Sequence, residues 1–145
     1  MSCETQQLLT CCLFFTANAL ARTITRMGEE EFARIGLAPS HAFLLSLTIE
    51  QPGIPQKDLA EQLHLAPSTV SRFVDTLAKR ELIFKEGQGR STLISATPKG
   101  EALKPGIQKA WKRLYERYSQ KLGQEQGNEL TRLTAEAYAK LEHMG

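Results

Sequence analysis

Apolar positions between residues 56 and 79 follow two short helical patterns that are separated by a turn. In the first, Leu59, Ala60 and Leu63 fall on one side of a helix. The apolar residues of the second recur at spacings of three and four: Val70, Phe73, Val74 and Leu77. Pro67 suits the first position of the second helix, where a backbone N–H has no helical partner in any case. The pattern therefore predicts a helix-turn-helix.

The polar side of the second helix carries residue types that read duplex DNA. Short hydroxyl side chains reach base edges or phosphates, an arginine can bind guanine with two hydrogen bonds, and a helix N-terminus favours phosphate. These polar residues are Ser68, Thr69, Ser71, Arg72, Asp75, Thr76 and Lys79. We predict a recognition helix over about residues 67–80, although a solvated face on an ordinary helix pair is the alternative.

Two β-prone runs follow this helix and surround a Gly-Gln-Gly segment at residues 87–89. They predict a β-hairpin over about residues 82–96. Lys85 and Arg90 flank its tip. A hairpin with cations beside a recognition helix is typical of a wing, whose arginine can enter the adjacent minor groove. Without the neighbouring helix pair, Arg90 would be better explained as a solvated loop cation.

The first part of the chain has a helical pattern that extends from Gln6 to about Ile35 without a break, and Gly36 is a plausible cap. Its apolar residues cover two adjoining stripes, so this helix needs burial on two sides. A second helix begins at Pro39, and its predicted apolar spine is Phe43, Leu44, Leu47 and Thr48.

The last part of the chain predicts two further helices. Thr97 and Pro98 suit the cap and the first position of one of them, and Pro105 should kink it. Together with the N-terminal helix, these helices carry more apolar surface than one winged helix can cover. We therefore expect them to pack together across a homodimer, whose two-fold symmetry matches two half-sites about one helical turn apart.

The predicted fold is mainly α with a small β-hairpin, in a chain of 145 residues. It consists of an N-terminal dimerisation helix (1–36), a winged helix-turn-helix (37–97) and C-terminal dimerisation helices (98–145). The formal net charge is only +2, so DNA binding must depend on individually placed cations.

Three cysteines near the N-terminus and the absence of a Cys/His metal spacing favour a reduced, cytoplasmic compartment, with no metal and no cofactor. The apolar run at residues 8–21 lacks a basic flank and is short for a membrane span, so we expect neither a signal peptide nor membrane association. No usable catalytic set or phosphate loop is evident, and we do not expect an enzyme.

Several motifs in this order resemble the MarR family of bacterial transcription regulators. They are Gly36-Leu37, residues 56–60 (Gln-Lys-Asp-Leu-Ala), residues 65–72 (Leu-Ala-Pro-Ser-Thr-Val-Ser-Arg), residues 77–83 (Leu-Ala-Lys-Arg-Glu-Leu-Ile) and residues 97–100 (Thr-Pro-Lys-Gly). The resemblance covers nearly the whole chain. It implies a homodimer that binds pseudo-palindromic duplex DNA, usually as a repressor released by a small aromatic or phenolic ligand or by cysteine oxidation. The residues that we assign to the DNA-contacting surface are Gln56, Lys57, Pro67, Ser68, Thr69, Ser71, Arg72, Lys79, Lys85 and Arg90.

Two positions depart from the family pattern. The family's wing usually carries Asp-x-Arg, where this chain has Gln88, Gly89 and Arg90, so a looser wing tip is expected. Ala66 stands where a capping side chain is often found before the proline. Such a cap is worth roughly 1 kcal/mol, so the recognition helix should fray more readily.

Two hypotheses concern the signal that the protein senses. Phe14, His41, Phe43 and Trp111 are candidates for a ligand pocket, although aromatic residues at helical spacing are more often plain core. Cys12, and after it Cys11, are candidates for a redox-sensing thiol, since some peroxide sensors of the family carry a reactive cysteine early in the first helix. An inert, buried cysteine is the alternative that we favour.

A winged helix used as a protein-interaction module is a further alternative to DNA binding. Arg72 and Arg90 distinguish the two, because a protein-docking wing would not require cations at both positions.

Overall fold

The computed structural model describes residues 4–87 and 92–143. Their helices are α1 (Thr5–Cys11), α2 (Leu13–Phe32), α3 (Pro39–Glu50), α4 (Gln56–Leu63), α5 (Pro67–Lys79), α6 (Pro98–Glu101), α7 (Lys104–Leu122) and α8 (Gln124–Glu142), with a 3₁₀ turn at Ala33–Ile35. Their strands are β1 (Ile54–Pro55), β2 (Ile83–Glu86) and β3 (Leu93–Ala96). The predicted fold class is confirmed: a mainly helical chain contains a small winged helix.

The N-terminal region is not the single helix that its periodicity predicts. Cys12 adopts an extended backbone conformation (φ −100°, ψ 119°), and the chain bends by 59° between α1 and the helix that follows. Cys12 still donates its N–H to Leu8 O, and its own carbonyl accepts the N–H of Thr16, so the backbone groups beside the break keep partners. No glycine or proline marks this position, which is why the apolar pattern runs through it without a signal.

The predicted kink at Pro105 is also wrong, because the helix is interrupted before the proline. α6 ends at Glu101 and α7 begins at Lys104, so Pro105 lies in the first turn of a new helix. A proline there removes no helical hydrogen bond, since the first-turn N–H groups have no helical partner. Thr97 caps α6 as predicted, with its hydroxyl accepting the Gly100 N–H at 3.0 Å.

The sheet has three antiparallel strands in the order β1–β3–β2. Ile83 pairs with Ala96 and Glu86 with Leu93, so β2 and β3 form the hairpin that the sequence predicts. β1 is an addition, since two residues give too short a pattern to recognise. A close contact joins the hairpin base to α6: a Cβ built on Gly100 would lie 2.1 Å from the carbonyl oxygen of Leu82. Only glycine fits this position without displacing the backbone.

The core lies beneath α5 and the sheet. Buried side chains from α2, α3, α4, α5, β2, β3 and α7 meet there, including Phe32, Leu44, Leu45, Leu59, Val70, Val74, Leu77, Ile83, Ile94 and Ile107. In α3 the buried face differs from the predicted spine, because Leu45 is fully buried while Phe43 is 50% exposed. Phe43 instead packs against Trp111 of α7.

A buried carboxylate holds α2 against α7. Glu31 has a side chain only 7% exposed, and it accepts a 2.9 Å hydrogen bond from Arg117 and lies 3.3 Å from Arg113. Arg117 also binds Glu30 at 3.2 Å, and hydrogen bonds to the two carboxylates raise its pKa. The two helices are therefore fixed by charge as well as by apolar packing.

No single helix among the described residues is both long and apolar enough to cross a membrane, although α1 and α2 together reach that length and composition across their bend.

Candidate nucleic-acid interface

The turn between α4 and α5 is closed by a residue in the left-handed conformation. His64 has φ +57°, and its N–H bonds back to the carbonyls of Ala60 and Glu61. The N–H of Leu65 also binds Ala60 O, at 3.1 Å. These hydrogen bonds give partners to the carbonyls of Ala60 and Glu61 in the last turn of α4, where the chain turns toward α5. The ring of His64 further contacts Tyr138 of α8, at 4.3 Å between centroids.

The N-terminal half of α5 presents a polar, solvent-exposed face. Val70 and Val74 are buried on its opposite side, and this alternation fixes the rotation of the helix. The guanidinium of Arg72 lies 3.5 Å from the hydroxyl of Thr69, one turn earlier. Pro67, Ser68, Ser71 and Arg72 are exposed, and Thr69 is half-buried. Ala66 is the N-cap and has no side-chain oxygen, so α5 begins without the capping hydrogen bond that most helices receive.

The remaining predicted contacts frame this face. Lys79 is exposed at the end of α5, and Lys57 is exposed in the first turn of α4. Gln56 is half-buried at the start of α4, and its N–H donates to Thr92 O at 2.9 Å. The helix pair is thereby tied to the strand that returns from the wing.

Lys85, on β2, is engaged by an acidic partner that the sequence pattern did not reveal. Its ammonium group lies 2.9 Å from a carboxylate oxygen of Asp75 on α5, and both side chains are about half exposed. The hydrogen bond and the charge of Lys85 lower the pKa of Asp75, so this carboxyl stays ionised at neutral pH. The predicted wing cation is thus drawn toward the exposed face of α5.

The tip of the wing, including Gln88, Gly89 and Arg90, lies outside the described residues. The flanking strands end at Glu86 and begin again at Leu93. The roles of Arg90 and of the altered Asp-x-Arg segment therefore stay predictions.

Hydrogen bonds to two other regions hold the C-terminal end of α5. Arg80, the C-cap residue, donates a 2.8 Å hydrogen bond from its guanidinium to Gly36 O, beyond α2. Lys99 donates to the carbonyl of Arg80 at 3.1 Å, and Thr97 donates to the carbonyl of Glu81 at 2.6 Å. One end of α5 is anchored in this way, and the other is free to meet a ligand.

A helix pair with an exposed polar second helix, together with a three-stranded sheet whose β2 and β3 form a hairpin, is the arrangement of a winged helix-turn-helix. The model of the MarR family matches residues 37–86, which span α3 to the end of β2. Over these residues the chain is similar to the MarR family. No curated protein is similar enough in sequence to match it.

Solved structures of MarR-like regulators share this fold over almost their full length. CouR from Rhodococcus jostii RHA1 bound to p-coumaroyl-CoA is 24% identical, with 90% of this chain and 94% of that chain covered and a TM-score of 0.75. CouR bound to a 23-mer DNA duplex is 21% identical, with 94% of this chain and 99% of that chain covered and a TM-score of 0.77. A probable transcriptional regulator from Pseudomonas aeruginosa is 25% identical, with 81% of this chain and 93% of that chain covered and a TM-score of 0.70.

A cavity of about 360 Å³ opens between α3 and α7. The rings of Phe43 and Trp111 meet in its wall at 4.1 Å, and Trp111 also packs edge-on against Phe32 at 4.4 Å. Glu50 and Lys104 supply charges of opposite sign to the lining. The cavity is thus lined by aromatic and aliphatic side chains together with four polar ones (Ser46, Glu50, Lys104 and Gln108), and apolar walls with placed polar groups are usual for small-molecule sites.

The other two predicted pocket residues do not line this cavity. His41 packs edge-on against Phe73 of α5, with ring centroids 4.6 Å apart. Its partial burial and the nearby charge of Arg80 lower its pKa, so the ring is neutral at pH 7. Phe14 is 80% exposed on α2. Of the four residues predicted to line a pocket, only Phe43 and Trp111 lie together in the wall of this cavity.

The two candidate thiols lie at the break between α1 and α2. Cys11 is exposed and its sulfur donates to Gln7 O at 2.9 Å, whereas Cys12 is half-buried at the N-cap of α2. The sequence contains no Lys, Arg or His before Arg22, so no cation lies close in sequence to either thiol.

Three contacts in and around the interface were not predicted from the sequence. They join Asp75 to Lys85, Arg80 to Gly36, and Tyr138 to His64. Each pair joins residues at least ten positions apart. A helical or strand period describes neighbours on one element, so it carries no signal for contacts of this kind.

Proposed function

We propose that this protein is a homodimeric, sequence-specific regulator that reads pseudo-palindromic duplex DNA and acts as a repressor released by a small ligand. The observation that carries the proposal is the exposed N-terminal face of α5, where Ser68, Ser71 and Arg72 lie opposite a fully buried apolar side. In a winged helix, that part of the second helix enters the major groove.

The proposed contacts divide into two kinds. Ser68, Thr69, Ser71 and Arg72 meet base edges, so they carry the sequence preference. Gln56, Lys57, Pro67 and Lys79 lie against the flanking phosphates, and Lys85 and Arg90 of the wing approach the backbone and the adjacent minor groove. The phosphate contacts raise affinity for every duplex and make it dependent on salt.

Support for the homodimer comes from apolar side chains left exposed outside the winged helix. Leu13 and Phe14 are 67% and 80% exposed near the start of α2, and Leu141 of α8 is 64% exposed. Leu8 and Leu9 of α1 and Leu133 of α8 are further large apolar side chains that are exposed. Burying this surface against a second copy would remove it from water, which supplies the driving force for association.

Support for a small ligand comes from the cavity beside Phe43 and Trp111. It lies between α3, in the DNA-binding part, and α7, in the proposed dimerisation part. A flat aromatic or phenolic molecule would stack on these rings and separate the two helices, which changes the distance between the two reading helices. The fold is shared with CouR, which has been solved with p-coumaroyl-CoA, a phenolic ligand.

The proposal is tested by selecting bound duplexes from a random pool at a stated salt concentration near physiological. We expect enrichment of a pseudo-palindrome with half-sites about one helical turn apart, bound by two chains. Sedimentation of the free protein should give twice the mass of one chain. Selection without any preferred sequence would reject sequence-specific reading, and failure to bind any duplex would favour a protein-interaction module.

A thiol-based regulator of the same fold is the second candidate. The observation in its favour is the place of Cys12, at the bend where two helices with exposed apolar faces meet. Oxidation there would change the surface proposed for the dimer. Treating the protein with peroxide and measuring binding to the selected duplex distinguishes this candidate from release by a ligand.

A further inference from the structure

The side chain of Arg80 joins the C-terminal end of α5, the proposed reading helix, to the helices outside the winged domain. The guanidinium of Arg80 donates to Gly36 O at 2.8 Å across 44 positions of sequence. Gly36 has φ +68°, a conformation that glycine adopts without strain, and it closes the 3₁₀ turn that follows α2. The acceptor is therefore held in place by the backbone that ends the N-terminal region.

The rest of Arg80 is also fixed. Its N–H binds Thr76 O within α5 at 3.3 Å, and its carbonyl accepts the ammonium group of Lys99 at 3.1 Å. Both cations lie at the C-terminal end of α5, where the helix dipole favours positive charge. Arg80 is consequently attached at once to α5, to α6 and to the end of α2.

Gly36 follows α2, which belongs to the proposed dimerisation helices (α1, α2, α7 and α8), called the dimer body below. α2 is bound to α7 by Glu31, which interacts with Arg113 and Arg117. A displacement of the C-terminal end of α5 relative to α2 must therefore stretch the contact from Arg80 to Gly36.

We propose that Arg80 is a positioning residue: it sets the orientation of α5 relative to the dimer body and so the half-site spacing that the dimer accepts. This rests on the proposed function, since it requires a dimer that reads two half-sites. The 13 residues of α5 place its reading end about 20 Å from Arg80, at 1.5 Å per residue. A tilt of α5 by about 10° would then move its reading end by about 3.5 Å, close to the 3.4 Å rise of one base pair.

A simple phosphate contact is the competing role for an exposed arginine beside a DNA-binding helix. The two roles predict different measurements. A phosphate contact contributes to binding of every duplex and to the salt dependence. A positioning contact affects binding only where the distance between two half-sites matters.

The experiment measures affinity for a series of duplexes in which the spacing of two identical half-sites changes by one base pair at a time. Wild type is compared with Arg80→Met, which removes the donor at similar side-chain length, and with Arg80→Lys, which keeps a donor and the charge. Lys112→Met, at an exposed position on α7, is the control for the loss of one positive charge. A duplex with one half-site scrambled and a salt titration complete the set, and thermal unfolding checks the fold of each variant.

We expect wild type, Arg80→Lys and Lys112→Met to favour the best spacing over its neighbours by about tenfold, and Arg80→Met by about threefold or less. Affinity for the scrambled duplex and the salt slope should match those of Lys112→Met. An unchanged spacing profile in Arg80→Met would overturn the inference, as would a uniform loss of affinity with a salt slope lowered by about one. If Arg80→Met fails to fold, Arg80→Gln, which is too short to reach Gly36 O, gives the same test.

The failures of the two proposals are distinguishable. Wild type that binds no duplex, or that shows no spacing preference, rejects dimeric reading itself. Wild type with a sharp preference that Arg80→Met retains rejects only the role of Arg80.

Discussion

The ammonium group of Lys85 lies 2.9 Å from the carboxylate of Asp75, which joins the first strand of the wing to the middle of the reading helix. In the family pattern an acidic residue of the wing steadies its arginine, whereas here the wing has Gln88 at that position. In this protein the described wing residue with an acidic partner is Lys85, and its partner, Asp75, lies on α5 and not on the wing.

Removing the Asp75 carboxylate should tighten DNA binding. In Asp75→Asn, no carboxylate competes with the DNA phosphates for Lys85, so we expect higher affinity for all duplexes and a salt slope steeper by up to about one unit. Fluorescence anisotropy over a range of salt concentrations measures both. Glu116→Gln, at an exposed position of α7, controls for the change in net charge, and an equal effect in that variant would assign the gain to overall charge.

Arg72 and Ser68 should determine sequence preference. Arg72→Ala and Ser68→Ala are each expected to cost roughly 1–3 kcal/mol at defined base positions, because each removes hydrogen bonds to base edges. Lys79→Ala is the contrasting variant and should weaken binding to all sequences alike. Repeating the duplex selection with each variant checks this, and base preferences that survive both Arg72→Ala and Ser68→Ala would show that α5 is not the reading element.

The buried carboxylate of Glu31 should contribute to stability. Glu31→Ala leaves Arg113 and Arg117 without their shared partner, but both arginines are more than a third exposed and can be hydrated. We therefore expect a loss of about 1–3 kcal/mol in the free energy of unfolding, less than for a fully buried pair. Urea denaturation measures it. Glu29→Ala, at an exposed position of the same helix, should change stability by less than about 0.5 kcal/mol.

His41 should make stability depend on pH on the acidic side of neutrality. Its pKa is lowered by burial and by Arg80, so the unfolded chain binds a proton at higher pH than the folded chain does. Stability is complete above the ordinary histidine pKa of about 6.5 and falls as the pH drops toward the lowered value, by at most about 1.4 kcal/mol per pH unit. Thermal unfolding from pH 5 to about pH 8 should show this slope in wild type and in His143→Phe. It should be absent in His41→Phe, which retains an aromatic ring beside Phe73.

Peroxide should leave DNA binding unchanged. A reactive thiol requires a cationic surrounding, and no Lys, Arg or His precedes Arg22 in the sequence. Binding to the selected duplex is measured before and after treatment, in wild type and in Cys12→Ser and Cys11→Ser. A loss of affinity that a thiol reductant reverses and that Cys12→Ser abolishes would establish the redox candidate in place of release by a ligand.

The sequence predicted the reading helix closely because local and tertiary signals agree there. Pro67 marks its start, the apolar residues repeat at helical spacing, and the observed helix ends at Lys79. The same logic fails at Cys12, where the backbone turns extended without a glycine or proline. The observed start of α7 moves Pro105 from an interior position to a tolerated one. In both places the chain departs from an uninterrupted local pattern, which periodicity alone cannot detect.

The candidate site was predictable in its residue types and less so in its connections. Ser68, Ser71 and Arg72 could be assigned to one face because a helical period places them there. The aromatic pocket was only partly predicted from the sequence. Phe43 and Trp111 meet across two helices, whereas His41 packs against Phe73. Which of several aromatic residues share a cavity depends on how helices cross, and that is set by the whole core.

The contact between Gly100 and the carbonyl of Leu82 defines where this protein can be divided into exchangeable parts. The base of the hairpin and the start of α6 approach so closely that no side chain fits between them. A wing transplanted from another regulator would therefore have to bring its own residues on both sides of that contact. The natural module for recombination is not the hairpin alone, but the hairpin together with the short helix that follows it.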